Sequence, residues 1–113
     1  MNEQLDSIQP KPQVFQFADL IDYQEGSVVS RQLVKKAAGN ITLFAFDTGE
    51  GLSEHTAPYD ALVQVLEGEA TITIDGEPYA LTGGQSILMP AGRPHALRAD
   101  VRFKMVLTMI RSK

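Results

Sequence analysis

Apolar and polar positions alternate along most of the chain. In "ATITID", Ala70, Ile72 and Ile74 share one face while Thr71, Thr73 and Asp75 share the other, a period of two that predicts a half-buried strand. The runs "SVVSRQLVK", "NITLFAFDTG", "ALVQVLEGE", "EPYALTGG", "QSILMP", "HALRADV" and "RFKMVLTMI" have the same character. They are short, rich in Val, Ile, Leu, Thr and Phe, and set apart by Gly, Pro, Asn and Asp. Between two strands stands Asp75-Gly76, a hairpin signal because both residues tolerate the positive φ of a type I′ turn. Such regular spacing predicts an all-β domain of two facing sheets, a sandwich or barrel. Only "FADLIDYQ", with Phe17, Leu20 and Ile21 at helical spacing, predicts a short helix or loop.

With 113 residues the chain has room for one core. Residues 1–29 are expected to form an N-terminal arm with that short helix or loop, loosely held over Met1–Pro12, and residues 30–113 the barrel domain. No apolar run approaches the roughly 20 residues of a membrane helix, and the polar start "MNEQLDSIQPKPQ" lacks the basic and apolar regions of a secretory signal. A cytoplasmic location is therefore expected, with no membrane partner. The absence of cysteine excludes disulfides, thiolate nucleophiles and cysteine-type zinc sites. A net charge of -4 with scattered Lys and Arg argues against a nucleic-acid partner, since phosphate binding needs a clustered basic surface. Neither a nucleophile elbow nor a Gly-rich loop before a helix is present, so acyl transfer by an activated Ser and P-loop nucleotide binding lack support.

The candidate chemistry lies in two stretches. In "GEGLSEHTAPYDALVQVLEG", His55, Ala57, Tyr59, Ala61, Val63 and Val65 have one parity, and Asp60, Leu62 and Gln64 the other. If the stretch is extended, the first set lines a cavity. In "MPAGRPH", the Pro-Ala-Gly turn and Pro94 predict a tight reversal that brings His95 in beside His55. The expected pocket is thus His55, Ala57, Tyr59, Ala61 and His95. Met89, Met105 and Met109 are expected to fill core.

These two stretches resemble the paired motifs of small single-domain cupins. Gly49, His55 and Gly68 fall in register with the first motif, and Gly84, Pro90, Gly92 and His95 with the second. Ala57, Ala61 and Ala99 stand where the family pattern has His, Glu and Asn. The resemblance implies a double-stranded β-helix, the jelly-roll cupin barrel, of six to eight strands. It also implies a homodimer, in which "SVVSRQLV" of one chain pairs with a sheet of the other.

In metal-binding cupins three His and one Glu hold the ion, so the resemblance leaves His55 and His95 as the metal ligands here. Two imidazoles completed by water or substrate would hold Mn, Fe, Ni, Cu or Zn weakly; alternatively both stay neutral, hydrogen-bonded and metal-free. Glu54, Asp60 or Gln64 could replace the lost ligands only through a bulge or twist. Two functions follow. One is a pocket that binds a small organic ligand, and the other a metal-dependent dioxygenase, isomerase or lyase.

Overall fold

The computed structural model describes residues 11–111. Seven strands follow a 3-10 turn at Phe17–Leu20: β1 (Val28–Lys36), β2 (Gly39–Phe46), β3 (Gly51–His55), β4 (Tyr59–Ile74), β5 (Glu77–Thr82), β6 (Ser86–Met89) and β7 (His95–Arg111). All pairings are antiparallel. Among the described residues no helix is long and apolar enough to cross a membrane.

Two long strands make the architecture. β4 and β7 pair along their whole length, from Tyr59 opposite Arg111 to Ile74 opposite His95. Each passes from one sheet into the other. In the first sheet the order is β1, β2, the second half of β7, the first half of β4, then β6; in the second it is β3, the first half of β7, the second half of β4, then β5. This is the double-stranded β-helix expected from the sequence.

The sequence reading is corrected at these two strands, since it divides each in two. "ALVQVLEGE" and "ATITIDG" form one strand, as do "HALRADV" and "RFKMVLTMI". Register shifts between Val65 and Thr71 absorb the bend of β4 without ending it. Gly68 sits there at φ +87, and a Cβ on it would meet the Arg102 carbonyl oxygen and the Phe103 backbone, so the close crossing requires glycine. A glycine inside a strand pattern here marks a bend and not a boundary.

Between the sheets lies the main core, with Phe46, Val63, Val65, Ile72, Phe103 and Met105 almost fully buried. Phe46 stacks on Phe103 with ring centres 4.5 Å apart. A second cluster covers the outside of the first sheet, where Leu33, Leu43, Ala45 and Val106 pack against Ile21, Phe17, Leu20 and Tyr23 of the N-terminal segment. β2 is therefore buried on both faces, Phe44 and Phe46 inward and Leu43 and Ala45 outward. Polar contacts fasten the segment: Lys104 donates to the Ala18 carbonyl at 2.7 Å, Arg31 to the Leu20 carbonyl at 2.9 Å, and the Tyr23 hydroxyl to Glu67 at 2.8 Å. The loose arm expected over Met1–Pro12 lies outside the described residues except for Lys11 and Pro12, both exposed.

Candidate functional site

His55 ends β3 and His95 opens β7, and the two are register partners. Their rings touch edge to face, 4.4 Å between centres. A local irregularity makes this possible. Leu52 pairs with Leu97 and His55 with His95, so β3 carries one residue more than β7 across that interval. Residues three apart in a regular strand face opposite sides; the bulge at Ser53 and Glu54 puts His55 on the face of Leu52 and the buried His95. Sequence parity alone could not show this, because it counts residues and not the register of the partner.

Both rings are held by the same device. His55 Nδ1 lies 2.8 Å from the Ser53 carbonyl oxygen and His95 Nδ1 3.2 Å from that of Arg93, in each case two residues back. A carbonyl oxygen only accepts, so each Nδ1 carries the hydrogen and donates it. In a neutral ring the lone pair is then on Nε2. His95 is 9% exposed, and burial pushes its pKa down. The nearby His55 adds to that, while the Arg93 carbonyl acts the other way. His55 is exposed.

The turn before His95 is fixed from two sides. The Gly92 N–H donates to the Ala57 carbonyl at 2.9 Å, and Gly92 has φ +79. The Ala91 N–H donates to Asp60 Oδ1 at 2.9 Å. On the other side Arg93 pairs with Asp75 at 2.8 Å, and the Asp75 N–H donates to the Pro94 carbonyl. Asp75 and Gly76, at φ +54 and +80, make the hairpin with both turn residues left-handed as expected.

Of the other sequence-predicted positions, Ala61 is buried, while Ala57 and Tyr59 are half-buried around the start of β4. Tyr59 has the Arg111 guanidinium 5.4 Å above its ring. Among the described residues no group of three or more His, Cys, Asp or Glu could hold a metal ion. Glu54 is exposed and Asp60 holds the turn, so neither joins the histidines in such a group. The donor set thus falls short of the three His and one Glu of metal-binding cupins.

One feature escaped sequence reasoning. A groove of about 370 Å³ lies against Gly49–Ser53, Thr71, Thr73 and Ala96–Arg98. Thr71 and Thr73 alternate with buried Ile72 and Ile74, so this groove is on the outside of the second sheet. It does not include the histidine pair.

A family model described as the cupin domain matches residues 42–111, more than half of the chain. The chain belongs to the cupin family. Among solved structures this cupin is similar to a conserved protein of unknown function from Streptococcus pyogenes, with 36% identity, a TM-score of 0.88 and coverage of 99% of this chain and 97% of that one. A cupin superfamily protein from Desulfitobacterium hafniense is 32% identical, with a TM-score of 0.85, over 97% of this chain and 100% of that one. A Cupin 2 conserved barrel domain protein from Leptotrichia buccalis reaches 42% identity and a TM-score of 0.84 over 86% of this chain, but 47% of its own. A protein of Streptomyces cyaneus named polyketide synthase CurC is 33% identical over 76 residues. This cupin spans about half the length of that curated relative, 49%, and 65% of this chain is matched.

Proposed function

We propose that this cupin is a cytoplasmic binding module whose His55–His95 pair takes a small organic ligand at one end of the barrel. The observation that carries this reading is the contact between two imidazoles whose Nδ1 atoms are both committed to backbone carbonyls. Two fixed Nε2 lone pairs beside an apolar core suit a ligand with a hydrogen-bond donor on an apolar body. A divalent transition ion (Mn, Fe, Ni, Cu or Zn) would be held here only weakly. The fit is partial: a carbonyl bond to the far nitrogen is the usual support for a ligating imidazole, but no carboxylate joins the pair to offset the ion's charge.

A second reading, a metal-dependent enzyme acting on a small organic substrate, draws support from the similarity to a protein named a polyketide synthase. It requires an ion at the same pair. Elemental analysis and native mass spectrometry of protein purified without an affinity tag separate the two. The binding module predicts a retained small molecule and far less than one metal per chain, with the molecule lost in His55→Ala and His95→Ala. A ligand at ten times its Kd should raise Tm by about 5 °C. Near-stoichiometric metal lost in both variants would favour the enzyme instead.

The proposal includes a homodimer. Val34, Ile41, Thr108, Leu62 and Leu88 are successive register partners across all five strands of the first sheet. Val34 and Ile41 pack under the N-terminal segment, whereas Leu88 is 69% exposed and the neighbouring Ile110 61%. A second copy would cover that uncovered end and the outer edge of β1.

A further inference from the structure

This inference rests on the His55–His95 reading and concerns the class of ligand that the mouth of the barrel takes. The first sheet faces the histidines across the core, and its inner rows can be followed through the strand registers. Ala61 of β4 is buried there, and its partner Met109 of β7 packs against the same core. Two residues further out the row is Tyr59 and Arg111, again partners. Alternation along a strand gives them the same inner face as Ala61 and Met109. Beside Met109 stand Asn40 on β2 and then Lys35 on β1. The wall therefore turns from apolar to cationic at its rim.

This rim and the histidine pair share one end of the barrel. β4 and β7 fold back around Gly68, so the Tyr59–Arg111 end of the paired strands and their Ile74–His95 end open on the same side. β3 ends at His55 and β4 begins at Tyr59, which limits the distance between their Cα atoms to about 14 Å. The bond from the Gly92 N–H to the Ala57 carbonyl ties the links before β4 and β7 together. Sheets packed face to face stand about 10 Å apart, a gap that a small organic molecule bridges.

Arg111 is held in place but not neutralised. Its Nε–H donates to the Ala37 carbonyl at 2.9 Å, and its guanidinium lies 5.4 Å from the centre of the Tyr59 ring. Arg93, Arg98 and Arg102 each meet an aspartate, whereas Arg111 has no ion pair among the described residues. Its two Nη groups are left to donate side by side, the planar fork that matches a carboxylate. Lys35 is exposed and adds positive charge to the same rim. An acid on the inner rows at this end, Glu77, pairs with Ile74 on β5, the far edge of the other sheet.

We propose that the ligand of this site is a small hydroxy acid. Its hydroxyl donates to an Nε2 lone pair of the histidines, its apolar body lies over Ala61 and Met109, and its carboxylate takes the Arg111 fork. A phosphate, with more charge and three acceptor oxygens, calls for more donors than this rim holds.

The test is isothermal titration of the tag-free protein with salicylate, para-hydroxybenzoate and para-hydroxyphenylacetate, and with the matching amides. Wild type should bind at least one acid, and its amide about 30-fold more weakly, the loss of one charge-assisted pair. Arg111→Gln should bring the acid down to the level of its amide and leave the amide unchanged, and Arg111→Lys should recover part of the difference. Lys36→Gln, one residue along from Lys35 and so on the opposite face, should change neither. Equal binding of acid and amide, full acid affinity in Arg111→Gln, or no binding of any acid overturns the proposal. If the retained small molecule is lost in His55→Ala and His95→Ala while no acid binds wild type, this proposal alone fails. An acid that needs Arg111 yet binds both histidine variants unchanged contradicts the histidine reading instead.

Discussion

His55 and His95 each spend one ring nitrogen on a carbonyl two residues back, and this local bond decides what the other nitrogen can do. It also bears on pH. Burial holds the folded-state pKa of His95 below its ordinary value of 6.5, so the unfolded chain takes the proton first as pH falls. The contribution of His95 to stability is full above about 6.5, declines as pH drops below that value, and levels off under the folded pKa. Asp47 and Asp100, held low chiefly by the Gly26 N–H and by Arg98 respectively, act in a separate window starting below their ordinary 3.8. Thermal unfolding followed from about pH 8 to 5 should therefore show Tm falling in wild type and a flatter profile in His95→Gln. Identical profiles would contradict the burial argument. The pairing of the two histidines was legible from motif spacing, but their tautomers were not, because backbone carbonyls carry no sequence signature.

At the scale of elements, alternation was a good guide wherever one face is wet. "ATITI" and "PYAL" sit as expected on either side of the Asp75-Gly76 turn. It failed in three places, each for a physical reason. β3 escapes the strand pattern because it is short and mostly exposed, with Leu52 packed against the core. β4 looks divided because Gly68 resembles a stop, whereas its positive φ lets the strand cross between sheets. The docking of the segment around Phe17–Tyr23 onto the first sheet has no local sign because its partners are distant in sequence: Lys104 for Ala18 and Glu67 for Tyr23. The continuous apolar run "LFAF" in β2 was the available sign that something covers the outside of that sheet, since a strand wet on one face would alternate. The bulge in β3 shows the same limit within the site. Parity puts His55 on the cavity side, but the bulge that sets it on the same face as Leu52 shows only in the register with β7.

For the whole molecule, the barrel was legible because turn residues and the two glycine-histidine motifs agree on one topology. The assembly is a separate matter, read from what the fold leaves bare. Leu88 and Ile110 lie on the same outer face as the N-terminal cluster yet outside it. Light scattering coupled to size-exclusion chromatography should give a dimer for wild type and a monomer for the double variant Leu88→Lys, Ile110→Lys, and the Tm of the variant should no longer depend on protein concentration, because association stabilises the folded chain by mass action. A monomeric wild type would remove the dimer from the account.

Every functional statement depends on the histidine pair being a working site, and side-chain nitrogen NMR reads it directly. Long-range ¹H–¹⁵N spectra of the tag-free protein at about pH 8.5 should show the ring hydrogen on Nδ1 and a bare Nε2 in both histidines, with both Nε2 signals moving together on binding. A hydrogen on Nε2 of either ring, or a response confined to one of them, would contradict the account.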